Sequence, residues 1–209
     1  MSLSLIGRNV SESVTLKMNE TFAILKAKGE PVIHLGGGEP KSKAPIDAIT
    51  AIASHLNTGE VRYAAADGSV EMKKAVIRYT QENYGRLVEP KNIIISSGAK
   101  QAIMVALQAI LDPQDEVIFP APYWVSYPDM VKLCGAIPVP VVPENGTFTP
   151  TLQDIKQNVS SYTKAIIINS PNNPSGAIYP KSFIKDIVEF AEEKGIYLIM
   201  DDIYQKLVF

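Results

Sequence analysis

Small, polar and aromatic residues that could bind a ligand follow four apolar segments of the chain. In chain order they are Gly98, Ala99 and Lys100 after residues 92–96, Trp124 after residues 115–120, Asn173 after residues 164–169, and Asp201, with Tyr204 three residues on, at the end of residues 196–201. If these segments are parallel strands, the residues lie at their carboxyl ends, where open α/β sheets bind ligands. That edge would present an anion-binding turn at a helix start, a flat aromatic ring, an amide, a carboxylate and a phenol.

Each group also has a purely structural explanation. Small residues before a helix are common caps, and a tryptophan at a helix start is usually part of the core. The "PNNP" segment is typical of a turn, and an aspartate after a strand is usually a cap or half of a surface ion pair. Four such groups at successive strand ends nevertheless favour one binding site over four coincidences.

The combination suits a planar, phosphorylated cofactor with a ring nitrogen. Such a cofactor needs an anion site, a stacking surface, donors to a ring oxygen, and an acid that keeps the ring nitrogen protonated, which describes pyridoxal 5′-phosphate. The "LGGGEP" segment at residues 35–40 lacks the Gly-x-Gly-x-x-Gly spacing of nicotinamide-binding proteins, and "SSGAK" is not a Walker A loop. His34, His55 and Cys134 are isolated in the sequence, so we expect no metal site.

The elements that would position these residues alternate from about residue 92 onward, which predicts an α/β fold with a mainly parallel sheet and helices on both faces. The predicted strands are residues 92–96, 115–120, 136–142, 164–169 and 196–201, and the predicted helices are residues 99–111, 123–135, 151–159 and 180–195. Two prolines in the segment at 136–142 argue for an edge strand. The first ninety residues contain two or three helices, of which residues 45–59 and 69–85 are the clearest.

Composition excludes several classes of protein. The chain has 209 residues, 46% of them hydrophobic, and a net charge of −2 with no basic block, so we expect no nucleic-acid partner. No apolar run reaches membrane-spanning length, and the first residues lack the layout of a signal peptide. We therefore expect a cytoplasmic protein without a membrane partner.

Six segments together resemble the class I/II aminotransferases of PLP-dependent fold type I, and are most similar to the bacterial aspartate aminotransferase branch. They are "LGGGEP", "VRYAAADGSVEMKKAV", "SSGAKQA", "ALQAILDPQDEVIFPAPYWVSYPDM", "INSPNNPSGAIYP" and "DDIYQKLVF". The resemblance implies an N-terminal arm and small-domain segment at residues 1–45 and an incomplete PLP-binding large domain at residues 46–209. It also implies a homodimer with shared active sites.

The resemblance implies a role for each matching residue. Gly98, Ala99 and Lys100 would bind the cofactor phosphate, and Trp124 would stack on the pyridine ring and border the substrate. Asp201 would pair with the ring nitrogen. The remaining implied contacts are Asn173 with the ring oxygen and the substrate carboxylate, Tyr204 with the ring oxygen, Gly38 with the substrate carboxylate, and Tyr63 with the phosphate of the partner subunit's cofactor.

The sequence departs from the family in two places. "GEPKSKAP" stands where the family has an acidic, aromatic "GEPDFDTP"-like segment. The family's Schiff-base lysine, in a Ser-x-x-Lys segment well after the Asp-x-x-Tyr motif, has no counterpart, and Lys206 lies too close to Tyr204 to replace it. We therefore expect this chain to be an incomplete N-terminal part, inactive alone, whose sheet lacks the strands that the family places beside that of Asp201.

The leading prediction is a PLP-dependent aminotransferase that uses an amino acid and a 2-oxo acid. Aspartate is the first-choice donor, and aromatic amino acids or prephenate are the next candidate substrates. The alternatives are a non-catalytic PLP-domain fragment or remnant, and a fold type I enzyme with another reaction, such as a carbon–sulfur lyase or a cyclopropane-forming synthase.

Overall fold

The computed structural model describes residues 4, 7–8, 13–37, 42–144 and 146–208. The chain divides into two compact units, one made of Met1–Lys17 with Gly98–Phe209 and the other of Met18–Ser97. The division into residues 1–45 and 46–209 rests on the resemblance alone and stays a prediction.

The larger unit is built on a four-stranded sheet in the order β2-β1-β3-β4. The strands are β1 (Glu116–Pro120), β2 (Ile137–Val141), β3 (Thr163–Asn169) and β4 (Tyr197–Asp201). Every neighbouring pair is parallel, which confirms the predicted sheet. β2 is the first strand in this order, so its predicted edge position is also confirmed. Pro138 and Pro140 have no N–H with which to bond a second neighbouring strand.

Except for the first, for which no bounds were predicted, the helices of the described residues lie close to the predicted segments, and their bounds differ at a few ends. They are α1 (Val14–Ala27), α2 (Ile46–Asn57), α3 (Val70–Tyr84), α4 (Ala99–Ile110), α5 (Ser126–Leu133), α6 (Leu152–Lys156) and α7 (Lys181–Lys194). α5 begins three residues after its predicted start and α6 ends three residues early, because periodicity does not specify where a helix begins or ends. α7 ends at Gly195, whose φ of 65° is the left-handed conformation of a glycine cap.

The strand predicted at residues 92–96 is wrong. Pro90–Asn92 form a 3-10 turn, and Ile93 is extended with φ −121° and ψ 125° but belongs to no ladder among the described residues. Ile93 is buried while Ile94 is 67% exposed. The β-branched side chains favour an extended backbone, but a strand also needs a neighbour to receive its hydrogen bonds.

The sheet separates two apolar clusters by the alternation of its side chains. Val117, Phe119 and Ile167 face a cluster that includes residues of α4 and α5. Ile118 and Ile166 face the opposite cluster, which includes residues of α6 and α7. The helices therefore cover both faces, as predicted, and α5 lies on the face shared with α4.

The smaller unit holds α2, α3 and the 3-10 turn. Ser69 caps α3, because its hydroxyl accepts the Met72 N–H at 3.2 Å. The buried Lys73 forms an ion pair with Asp67, and this hydrogen bond lowers the pKa of the Asp67 carboxyl. In the described part of the chain, no helix is both long enough and apolar enough to span a membrane.

The buried carboxylate of Asp154 organises the start of α6. It accepts the Thr151 N–H at 2.6 Å and the Thr151 hydroxyl at 2.7 Å, while the Asp154 N–H donates to the Thr151 hydroxyl at 3.2 Å. Burial raises the pKa of Asp154, but the hydrogen bonds from Thr151 and the Glu144 N–H outweigh it, so the pKa lies below its usual 3.8. This reciprocal arrangement is a capping box.

We predict that Thr151→Ala lowers the free energy of unfolding by about 1 kcal/mol at neutral pH, the usual cost of losing a helix cap. Because the pKa of Asp154 is lowered on folding, its stabilising contribution is present above its usual pKa and is lost as the pH falls through the folded value. The destabilisation should therefore shrink in acid, measured by urea unfolding at neutral pH and near pH 3. Ser182→Ala, at an exposed position of α7, is the control, and an equal loss at both pH values would contradict this account.

Candidate functional site

The carboxyl ends of β3 and β4 meet through the buried amide of Asn169. Asn169 lies opposite Asp201 in the strand register, and its Nδ2 donates to the Asp201 carbonyl at 2.9 Å. Its Oδ1 accepts the N–H of Asn173 at 2.7 Å. One side chain therefore links the end of β4 to the loop that follows β3.

The two adjacent asparagines of that loop have different contacts. The Asn172 Oδ1 is buried and accepts the Ser175 hydroxyl at 2.7 Å and the Ser175 N–H at 3.2 Å, which closes the turn. The Asn173 side chain points toward the other strand end, where its Nδ2 donates to the Tyr204 hydroxyl at 3.1 Å. Asn172 thus holds the loop, and Asn173 and Tyr204 together present an amide and a phenol.

Asp201 is buried, with 8% of its surface exposed, and each of its carboxylate oxygens has a donor. Oδ2 accepts the Tyr127 hydroxyl at 2.7 Å, and Oδ1 accepts the Ile203 N–H at 3.3 Å. Burial, followed by the hydrogen bond to Asp201, raises the pKa of the Tyr127 phenol far above its usual value. The phenol therefore stays protonated and donates, and the carboxylate is held in one orientation.

The indole of Trp124 borders the same region. Its ring makes an edge contact with Tyr127, with centroids 5.5 Å apart and planes at 88°. The Lys100 ammonium lies 4.9 Å from the Trp124 ring centroid, a cation–π distance. The structure therefore brings Lys100 and Trp124 together, and an indole that attracts a cation also suits a positively charged planar ring.

Gly98 precedes α4 with φ 90° and ψ 167°, a region open almost only to glycine. Gly98 is the N-cap residue of α4 and has no side chain with which to cap the helix. The amides of Ala99 and Lys100 belong to the first turn of the helix, where the helix dipole favours an anion. The predicted phosphate-binding turn therefore has the backbone that such a role needs.

Two further residues carry roles implied by the resemblance. Gly38 lies outside the described residues. Tyr63 belongs to the unit Met18–Ser97, where its side chain is fully exposed. The roles implied for these two residues stay predictions, and so do those of the residues described above.

Sequence reasoning missed Tyr127 and Asn169. Asn169 could have been found, because it is the one polar residue at the end of the apolar segment "KAIIIN". In the structure it is only 3% exposed. Tyr127 left none, because nothing in its helix indicates which side chain meets the end of β4. The expected lack of a metal site stays a prediction, although the described residues contain no cluster of three or more His, Cys, Asp or Glu side chains that could hold one.

We predict that Gly98→Ala destabilises the protein by about 1–3 kcal/mol through backbone strain. Apart from its chain neighbours, no described residue has an atom within 4 Å of a Cβ built at this position, so crowding is not the cause. Gly195→Ala is the matched control, because its site is equally open but its φ of 65° and ψ of 31° are tolerated better by alanine. Thermal unfolding of both variants tests this, and a smaller loss at Gly98 than at Gly195 would refute it.

Comparison with known proteins identifies the family of the chain. Residues 30–209 match the family model described as aminotransferase class I and II. The chain is 38% identical over 204 residues to a probable aspartate/prephenate aminotransferase of Thermus aquaticus, covering 97% of this chain and 53% of the relative. It is 39% identical over 210 aligned positions to an aspartate aminotransferase of Geobacillus stearothermophilus, covering 100% and 53%.

Solved structures give the same answer for the fold. Aspartate aminotransferase from Thermus thermophilus with maleate superposes with a TM-score of 0.94 at 35% identity, covering 100% of this chain and 55% of that one. An alanine aminotransferase from Pyrococcus furiosus gives 0.90 at 29% identity, covering 97% and 52%. The chain spans about half the length of the curated relatives it matches. The predicted resemblance and fold are confirmed, and the chain belongs to the class I and II aminotransferase family.

Proposed function

We propose that this chain is the cofactor-binding part of a PLP-dependent aminotransferase that moves an amino group between an amino acid and a 2-oxo acid. The observation that carries the proposal is the orientation of the Asp201 carboxylate by Tyr127 and Ile203 at the same sheet edge as the Asn173–Tyr204 pair. A buried, oriented carboxylate beside an amide and a phenol is the donor and acceptor set that a pyridine ring with a phenolic oxygen requires.

The residues of the larger unit fit pyridoxal 5′-phosphate in chemistry. Asp201 would bind the protonated ring nitrogen, Asn173 and Tyr204 the ring oxygen, and Trp124 the ring face. The phosphate would lie at the start of α4, against Gly98, Ala99 and the Lys100 ammonium. When bound, the cofactor supplies a protonated ring that accepts electrons from the substrate, and the residues of this chain bind and orient it.

The whole protein requires groups that this chain does not supply. We infer that the Schiff-base lysine and the arginine that binds the substrate carboxylate come from polypeptide outside this chain, in keeping with relatives about twice its length. The fully exposed Tyr63 supports a homodimer in which this phenol reaches the partner subunit's cofactor. The names of the relatives support aspartate as the first amino donor to assay. They also support prephenate as an alternative amino acceptor.

We predict that pyridoxamine 5′-phosphate binds the protein and that Asp201→Ala weakens this binding about 10- to 100-fold, the range for a lost hydrogen bond between charged groups. The amine form is the suitable probe because it does not react with surface lysines. Calorimetric titration measures the affinity, and Asp186→Ala, at an exposed position of α7, is the control. An Asp201→Ala variant that binds as tightly as the unchanged protein would refute the proposed site.

Turnover decides among the reactions that this fold supports. We expect the complete protein to form oxaloacetate and glutamate from aspartate and 2-oxoglutarate. Release of ammonia or a thiol without glutamate would indicate a lyase. Binding of the probe without any turnover would indicate a non-catalytic PLP-binding protein, which would contradict the proposed aminotransferase activity but not the proposed site.

A further inference from the structure

We propose that Tyr127 is a positioning residue for the cofactor ring, because it contacts both the carboxylate that would pair with the ring nitrogen and the indole that would stack on the ring. This inference rests on the proposed function and adds a residue to it. Tyr127 would not touch the cofactor itself. It would act by holding Asp201 and Trp124 in their relative places.

The contact with Asp201 controls the direction in which the carboxylate points. Tyr127 donates to Oδ2 at 2.7 Å, and the Ile203 N–H donates to Oδ1 at 3.3 Å, so each oxygen is tied by one donor. A carboxylate oxygen accepts more than one hydrogen bond, which leaves acceptor capacity for a ring N–H. The hydrogen bond from Tyr127 is the shorter of the two. Without it, the Asp201 carboxylate can rotate away from the cofactor ring.

The contact with Trp124 uses a different part of the same residue. The Tyr127 ring meets the indole at 88° with centroids 5.5 Å apart, and the Tyr127 N–H donates to the Trp124 carbonyl at 3.0 Å. The Tyr127 ring also lies 6.0 Å from the Phe119 ring of β1. The side chain is 2% exposed and therefore has no room to change rotamer freely.

This geometry connects two layers of the larger unit. Asp201 ends β4 in the sheet, whereas Trp124 precedes α5 in the helical layer that covers one face. Tyr127, in α5, links them through a hydroxyl on one side and a ring edge on the other. A small shift of α5 against the sheet would otherwise change the spacing between the two proposed ring contacts.

The test compares two probes that differ at a single ring atom. Pyridoxamine 5′-phosphate carries the ring nitrogen, whereas its 1-deaza analogue has a C–H there and cannot pair with Asp201. We expect Tyr127→Phe to weaken binding of pyridoxamine 5′-phosphate about tenfold and to change binding of the deaza analogue less than about twofold. The phenylalanine ring keeps the edge contact with Trp124, so the difference isolates the hydroxyl.

Tyr179→Phe is the matched control. Tyr179 is also buried, but it belongs to the cluster on the opposite face of the sheet, where its ring contacts Phe183 at 5.5 Å. We expect this variant to bind both probes as the unchanged protein does. If Tyr127→Phe does not fold, 4-fluorophenylalanine at position 127 fills the space of the hydroxyl without donating, and the same selective loss is expected.

Three results would overturn the inference. An equal loss for both probes would mean that Tyr127 only supports packing, and no loss for either would mean that Asp201 is oriented without it. A selective loss that persists at full size when Asp201→Ala is already present would mean that Tyr127 does not act through Asp201. Failure of the unchanged protein to bind pyridoxamine 5′-phosphate would reject the proposed function together with this inference, which separates it from the other three outcomes.

Discussion

The parallel pairing of β3 with β4 brings Asn169 opposite Asp201, and the rest of the candidate site is arranged around that pair. The side-chain amide of Asn169 donates to the Asp201 carbonyl and accepts a hydrogen bond from the Asn173 N–H. Because both ends of this amide are buried and satisfied, moving either partner would leave an unpaired polar group in the core. The distance between the proposed contacts to the ring nitrogen and to the ring oxygen is therefore set by the sheet itself.

The other side of the candidate site is formed by residues of the helical layer on one face of the sheet. Trp124 precedes α5, and Tyr127 of that helix meets Asp201 across the layer boundary. Apolar side chains of α4 and α5 pack against those of β1 and β3, and this packing holds the helices against the sheet. Binding groups carried by two rigid layers need little reordering when a ligand arrives, so less free energy is spent on ordering them.

Much of this arrangement could be predicted from residue patterns. Apolar runs separated by helical periods indicated the parallel sheet, the prolines of β2 indicated an edge, and the polar residues after β3 and β4 indicated a binding edge. The strand at residues 92–96 failed because β-branched residues indicate extended backbone, whereas a ladder depends on which segment lies alongside. Tyr127 was missed because helical periodicity identifies a buried face but not the group that each buried side chain meets.

The sequence by itself determined the order of elements, the turn residues that end them, and the chemical types available at each strand end. These follow from local conformational preference and from the alternation of apolar residues, both of which act within a short stretch of chain. Only the tertiary structure decided that Asn169 joins Asn173 to Asp201 and that Tyr127 reaches Asp201 across 74 positions of sequence. Those contacts depend on strand register and on how helices pack against the sheet, and both are settled by burial of the whole core rather than by any one segment.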